Sequence, residues 1–482
     1  MARWLWVLSA AAFVAGCGSS DGGAAPSSDA SQPPDGGAPT DSSPSSNDGA
    51  GARDSSSSTD SGNPDAPDAN PFADDQPFAA MRAACTFTQG ALPSQTFGPS
   101  IANLSIPIDT IVIASQENRP FDQYLGQLPA YGQADVNVEN PNVKLVGTTG
   151  MSYSPFHNTA FCTGDTAHDW DSMHKDWNNG ANDGFVKVND PGGNRTLGYY
   201  DATDLTFYYD LASTYGVGDA YFSGLLGPTG PNRLYLYAAT SSGHIANGPG
   251  VASGQPSIFK RLKDAGVSFA VYSNASGPAT NCPGPYSFET SIFCADIPQG
   301  AKTFAQFQAD ATAGTLPHVV WIYAGSDEHP PSDIQIGESD VQKFFDALVA
   351  SPQWARAAFI LTYDEAGGMY DHAPPPSACK PDAIPPNIPA EGSYPGQFDR
   401  YGFRVPFIVA SPWSKPHYVS HQVSSHTSLL RFLELRFKLP ACSNRDANEF
   451  PLIDYFDFSQ PHFATPHVPA PVVVLPPSSK GC

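Results

Sequence analysis

A largely apolar, β-prone run, Phe359-Ile360-Leu361-Thr362-Tyr363, leads straight into Asp364 and Glu365, then Ala366 and the paired glycines Gly367 and Gly368, with Asp371 and His372 close behind. This pattern reads as a buried strand whose carboxyl end carries charge into a cleft, where open α/β sheets place their chemistry. Two adjacent carboxylates repel each other unless a proton or a cation neutralises them, so the pair points to a divalent metal ion. The plain alternative is an acidic turn. A second strand-like run, Ile108 to Ser115, leads into Gln116-Glu117-Asn118-Arg119. Glu117 and Asn118 offer one anionic and one neutral oxygen, both hard ligands for such an ion. A helix start with Glu in its first turn accounts for the same residues without chemistry.

Nucleophile and proton carriers have candidates elsewhere. In Gly227-Pro228-Thr229-Gly230-Pro231-Asn232-Arg233, proline and glycine fix a tight turn before an apolar stretch. Pro231 suits the first turn of a helix, which puts Thr229 just ahead of free backbone amides that favour a phosphate-like anion. The Thr229 hydroxyl is then a candidate nucleophile, against the commoner task of a helix cap. His168 opens a polar loop, and His329 in Asp327-Glu328-His329-Pro330-Pro331 follows another strand end. Either could contact a phosphoryl oxygen or move a proton, and either could be an ordinary solvated histidine. His426, at the start of a helical pattern, reads as structural.

These residues need elements to position them. Strands are expected over Ile108 to Ser115, Phe269 to Ser273, Val319 to Ala324, Ala357 to Tyr363 and Val405 to Ala410. Their nearly continuous apolar character suits strands covered on both faces, as in a mostly parallel sheet. Helices are expected over Pro231 to Thr240, Asp340 to Trp354 and Thr427 to Leu439; the last sets Leu430, Leu433 and Phe437 on one face. The alternation gives an α/β, three-layer sandwich.

The chain divides into three parts. Residues 1–17 pair a basic start with an apolar stretch too short to cross a bilayer, which reads as an export signal. The signal ends in Val14-Ala15-Gly16-Cys17, similar to the lipobox of bacterial lipoproteins; that resemblance implies lipidation of Cys17 and a membrane anchor. It places the protein in the bacterial cell envelope, with Gly18 compatible with outer-membrane sorting; plain secretion is the alternative. Residues 18–77 are dominated by Ser, Asp, Gly, Pro, Ala and Thr and read as a tether without a core. Residues 78–482 form one large folded domain. The net charge of -23 argues against a nucleic-acid partner. Beyond Cys17 there are seven cysteines, so an exported chain should pair most of them and leave one thiol free. Cys282 and Cys294 are near enough to close a local loop. The absence of any Cys-x-x-Cys spacing argues against a cysteine metal site.

Taken in order, Glu-Asn-Arg-Pro-Phe-Asp-Gln-Tyr-Leu-Gly at 117–126, Gly-Pro-Thr-Gly-Pro-Asn-Arg at 227–233, Asp-Glu-His-Pro-Pro at 327–331, Thr-Tyr-Asp-Glu-Ala-Gly-Gly-Met-Tyr-Asp-His at 362–372, Tyr-Gly-Phe-Arg-Val-Pro at 401–406 and His-Thr-Ser-Leu-Leu-Arg-Phe at 426–432 resemble the successive motifs of the bacterial phosphoesterase family, which holds non-specific phospholipases C and acid phosphatases. The resemblance implies an alkaline-phosphatase-like fold and hydrolysis of phosphate esters through a covalent phospho-enzyme. It further implies that Glu117, Asn118, Asp364 and Glu365 hold a divalent metal ion, that Thr229 is the nucleophile bound to it, and that His168 and His329 contact the phosphoryl group. The substrate would be a phosphodiester such as a phospholipid head group, or a monoester in the acid-phosphatase manner. A non-catalytic surface binding protein is the rival from another class. The chain departs from the family pattern at Pro120, Gln123 and Ala366, where Ser, His and His are usual.

Overall fold

The computed structural model describes residues 72–247, 256–273, 293, 296–297, 301–323, 328–389, 393–479 and 481–482. The export signal with Cys17, most of the expected tether, and Cys282 and Cys294 lie outside the described residues. The first elements, a helical turn at Ala73–Asp75 and a helix at Gln76–Ala83, begin ahead of residue 78, where the sequence reading starts the domain. Pro77 stands in the first turn of that helix, and Arg82 closes back on Asp75 at 2.6 Å and on the Thr96 carbonyl at 2.7 Å. Those long-range partners draw residues 72–77 out of the tether and onto the domain.

Eight strands form the central sheet: β1 (Thr110–Gln116), β2 (Gly216–Gly218), β3 (Phe269–Ser273), β4 (Ala301–Thr303), β5 (Val319–Tyr323), β6 (Ala357–Tyr363), β7 (Phe407–Ala410) and β8 (Tyr418–Ser420). Their order is β8-β2-β7-β6-β1-β5-β3-β4, and β7 runs antiparallel to both of its neighbours while every other pairing is parallel. β1 and β6 are buried along their whole length, which explains their unbroken apolar sequences.

The longer helices are α1 (Trp170–Trp177), α2 (Thr206–Thr214), α3 (Thr229–Ala238), α4 (Phe304–Ala313), α5 (Ile334–Val349) and α6 (His426–Phe437). The register shows that both faces of the sheet are covered. Phe359 pairs with Val112 and Trp321 with its neighbour Ile113, so the two aromatic rings leave opposite faces. Phe345 of α5 meets Phe359 with ring centroids 5.3 Å apart, and Tyr237 of α3 meets Trp321 at 5.4 Å. The fold is therefore the three-layer α/β sandwich that the strand pattern anticipates.

Because β6, β1 and β5 are adjacent and parallel, their carboxyl ends open on the same edge. Disulfides Cys85–Cys379 and Cys162–Cys482 tie distant segments to this body, and Cys442 is the free, buried thiol among the described residues. α5 begins at Ile334, six residues before the expected start, with Asp333 capping the Gln335 amide at 3.1 Å. Gly337 and Glu338, ahead of the expected start, lie inside it. The Glu338 carboxylate is buried and accepts the backbone amides of Phe207 and Tyr208 at 2.8 and 3.0 Å.

Candidate active site

β1 delivers Glu117 and Asn118 at its carboxyl end, and β6 delivers Asp364 and Glu365 beside them. Asn118 takes a left-handed conformation with φ of 66°, which Asn tolerates better than most residues. Its backbone amide donates to Asp364 Oδ1 at 3.2 Å, and the Glu365 amide donates to the same oxygen at 2.8 Å. Gly367 and Gly368 have φ of 63° and 66°. A Cβ on Gly367 would stand 2.4 Å from the Asn118 carbonyl oxygen, and one on Gly368 would stand 2.2 Å from that of Ala167. The paired glycines thus let the acidic turn press against the Asn118 loop on one side and the His168 loop on the other.

Thr229 is the first residue of α3, and Pro228 holds the cap position without a side-chain cap bond. The Thr229 hydroxyl instead donates to Asn118 Oδ1 at 3.3 Å. One turn along the same face, Arg233 reaches back to the acids. Its Nη2 donates to Glu117 Oε1 at 2.9 Å, and its Nε lies 3.2 Å from Asp364 Oδ2. The Tyr323 hydroxyl also donates to Glu117 Oε1, at 3.0 Å, while the guanidinium stacks 4.5 Å from the Tyr323 ring centroid. With Nδ1 donating to the Thr166 carbonyl at 2.6 Å, His168 offers Nε2 to the Asn118 side-chain amide at 3.3 Å. The same Nε2 lies 3.8 Å from Glu365 Oε1, and the His168 and His329 rings are 5.5 Å apart. All seven residues singled out from the sequence are therefore gathered around one strand-end cleft.

Electrostatics set this cleft apart from an acidic surface turn. Asp364 and Glu365 are both fully buried. Burial pushes the Asp364 carboxyl up to about 7, with Arg233 opposing the rise and Glu117 adding to it. Burial lifts Glu365 further above the ordinary carboxylate range, and the Asp364 charge reinforces it. Asp364 Oδ2 and Glu365 Oε1 are buried oxygens without a hydrogen bond. Orphaned anionic oxygens beside a neutral amide oxygen and a hydroxyl fit a hard divalent cation, whose ligands would be Glu117, Asn118, Thr229, Asp364 and Glu365. Asp165, His168 and His329 bring ligand atoms within 4.8 Å of one another at the cleft rim, whereas Glu117 is drawn to Arg233 and Tyr323. His426 donates through Nε2 to the Asp364 carbonyl at 2.7 Å and accepts from the Tyr221 hydroxyl at 3.2 Å, and burial lowers its pKa to about 4. It is a neutral brace for the acidic turn.

Residues 108–440 match the model of the phosphoesterase family. The chain belongs to the phosphoesterase family. Phospholipase C B of Mycobacterium tuberculosis is 32% identical over 421 residues, covering 76% of this chain and 80% of the relative. The hemolytic phospholipase C of Pseudomonas aeruginosa is 32% identical, covering 68% of this chain and 53% of that protein. Non-specific phospholipase C1 of Arabidopsis thaliana is 30% identical, with coverages of 68% and 64%. As a member of this family the protein is an enzyme acting on phosphate esters.

Two buried arginines carried no role in the sequence reading. Arg233 lies four residues after Thr229, a spacing that sets both on one helix face and could have disclosed the pairing. Arg404 is fully buried and joins Asp122, in the short helix Phe121–Leu125 after β1, to Asp371, in the loop after β6. No local signal reveals that contact, because its partners lie 33 and 282 residues away.

Proposed function

We propose that this phosphoesterase hydrolyses phosphodiesters of phospholipid head groups in the manner of a phospholipase C, with Thr229 as nucleophile and a transient head-group phosphodiester on Thr229. The observation that carries the reading is the Thr229 hydroxyl at 3.3 Å from Asn118 Oδ1, with the amide of the same Asn118 bonded to Asp364. One hydroxyl, one amide oxygen and two buried carboxylates thereby share a cleft. The names of the relatives supply the substrate class.

Glu117, Asn118, Thr229, Asp364 and Glu365 would hold the divalent ion, which when bound lowers the pKa of a hydroxyl and neutralises charge developing on phosphoryl oxygens. Thr229 supplies its oxygen to phosphorus after its proton has passed to solvent, and the bond from phosphorus to the glycerol oxygen breaks. His168 and His329 contact the phosphoryl oxygens, and His329 gives the departing oxygen its proton. Water then attacks phosphorus in this head-group ester of Thr229, the bond from phosphorus to the Thr229 oxygen breaks, and the head-group phosphate leaves as the hydroxyl regains a proton. The amino terminus of α3 behind Thr229 adds a favourable field for the anion. Arg233 holds Glu117 and Asp364 in place for this chemistry. Cys17 is read as the lipid anchor that keeps the exported enzyme on a membrane of the cell envelope.

The test compares a chromogenic phosphocholine diester with the corresponding phosphate monoester, using the parent and Thr229→Ala. Turnover of the diester by the parent and its loss in a folded Thr229→Ala protein are expected. Turnover of the monoester alone would make the enzyme an acid-phosphatase type, and unchanged turnover in the variant would remove Thr229 from its role. Binding without turnover of either ester would favour the non-catalytic reading.

A further inference from the structure

The last stretch of the chain is apolar where a soluble surface is usually polar. From Val468 to Ser479 there is no ionisable side chain, and Pro469, Pro471, Pro476 and Pro477 stiffen it. It carries no helix or strand before a single turn at Pro477–Ser479. Val472 packs against the core, and the stretch is pinned where the Val472 amide donates to Gln342 Oε1 at 2.8 Å and the Leu475 amide donates to Gln335 Oε1 at 3.0 Å. Its end is locked by the Cys162–Cys482 disulfide. Between these fixings Val473, Val474 and Leu475 stand 73%, 42% and 40% exposed, and Ile336, next to Gln335, is 42% exposed.

The strap is fastened to the segment that follows His329. Gln335 and Ile336 lie in the first turn of α5, a few residues after His329-Pro330-Pro331, and Cys162 is followed by Thr163, which receives Arg119 at 3.4 Å. Arg119 in turn donates to the carbonyl of Glu328, the residue before His329. A face pinned at so many points is held out to solvent at the cost of exposing apolar area.

We propose that this strap docks the enzyme onto a zwitterionic phospholipid surface, with Val473, Val474, Leu475 and Ile336 entering the boundary between head groups and acyl chains. The inference rests on the phospholipid reading of the active site and adds the means of reaching such a substrate. Four partly exposed side chains fall well short of the ~800 Å² per partner of a stable protein interface, so a second copy is a poor occupant. Shallow insertion into lipid grows with whatever apolar area enters and has no such threshold. The presence of a single basic residue, Lys480, from Val468 to Cys482, in a chain of net charge -23, disfavours an anionic surface.

The experiment uses the full chain with Cys17→Ser, which removes any lipid anchor, and the same chain carrying Val473→Ser, Val474→Ser and Leu475→Ser. Flotation at low temperature with phosphatidylcholine vesicles should show the triple variant partitioning about tenfold or more weaker than its parent, equivalent to about 1.4 kcal/mol. Turnover of the soluble phosphocholine ester should match between the two. Replacing part of the phosphatidylcholine by phosphatidylglycerol should weaken binding of the parent. Equal partition of parent and variant, no partition by the parent, or a concentration-dependent dimer that the triple variant abolishes would each overturn the docking proposal. Failure of the parent to turn over the soluble ester would instead strike the phospholipid reading, and the flotation result would still decide whether the strap binds lipid.

Discussion

Arg404→Met tests how the two acid-bearing loops are held together. Arg404 Nε donates to Asp371 Oδ1 at 2.8 Å, Nη2 donates to Asp122 Oδ1 at 2.8 Å, and Nη1 donates to the carbonyls of Asn137 and Asp219 at 3.0 and 2.7 Å. The methionine keeps the stem against Phe121, whose ring centroid is 4.7 Å from the guanidinium, but removes the charge. Asp371, 0% exposed, is then left without its cation, and Asp122, 7% exposed, keeps only His372 at 2.7 Å. Breaking a buried pair from one side costs about 3–5 kcal/mol. In a domain of roughly 400 residues that lowers Tm by about 3–6 °C. The pH dependence gives the sharper test. Burial pushes Asp122 up, yet the Arg404 charge and the His372 hydrogen bond outweigh it and hold the carboxyl below its ordinary value. For Asp371 burial remains the larger influence and the carboxyl sits above its ordinary value despite Arg404. A depressed Asp122 contributes stability above its unfolded pKa that is lost as pH falls. Without Arg404 burial raises both groups, so the variant loses stability as pH climbs past the unfolded value of about 3.9. Thermal unfolding at pH 5 and pH 8 should therefore show the larger deficit at pH 8. A deficit that is larger at pH 5, or under about 1 °C at pH 8, would refute the clamp.

Gly367→Ala forces a methyl to within 2.4 Å of the Asn118 carbonyl at a positive φ, so the Asn118 loop must retreat from Thr229. Diester turnover should fall by more than tenfold with a stability loss of about 1–3 kcal/mol, measured by steady-state kinetics and thermal unfolding; unchanged kcat would show that the close approach is dispensable. Glu117→Gln removes one proposed ligand charge and should weaken divalent-ion binding at least about tenfold, read as a smaller rise in Tm on adding the ion. A metal-dependent rise equal to the parent's would take Glu117 out of the ligand set.

What the sequence could disclose follows from how local each cause is. β1 and β6 were legible because burial on both faces leaves an unbroken apolar run ending in polar residues. β2, β4 and β8 were not, since each is three residues long and two of the three in β2 are glycines. The early start of α5 was hidden because the amides of Phe207 and Tyr208 that satisfy Glu338 come to it from elsewhere. The disulfides span 294 and 320 residues, and no local spacing encodes such pairings. At the cleft, residue types named the acids, the threonine and the histidines. What they could not supply was the meeting of Thr229 with Asn118 across 111 positions, or the role of Arg233 as the cation already present.

That resident cation sharpens the case for a second one. Glu117, Asp364 and Glu365 together can carry three negative charges, and Arg233 supplies one positive charge, leaving two uncompensated. Arg233 touches Glu117 Oε1 and Asp364 Oδ2 but leaves Glu365 Oε1 without a hydrogen bond. Burial favours the neutral form of both carboxyls and pushes Asp364 up to about 7, with Arg233 opposing the rise and Glu117 adding to it. Two protons would cancel the uncompensated charge, but they would also consume the oxygens and leave nothing to activate Thr229. One divalent ion cancels the same two charges and leaves the carboxylates ionised as ligands. An acid pair sunk at a strand end beside a single arginine is thus poorly explained as a turn, and well explained as one half of a site whose other half is brought from solution.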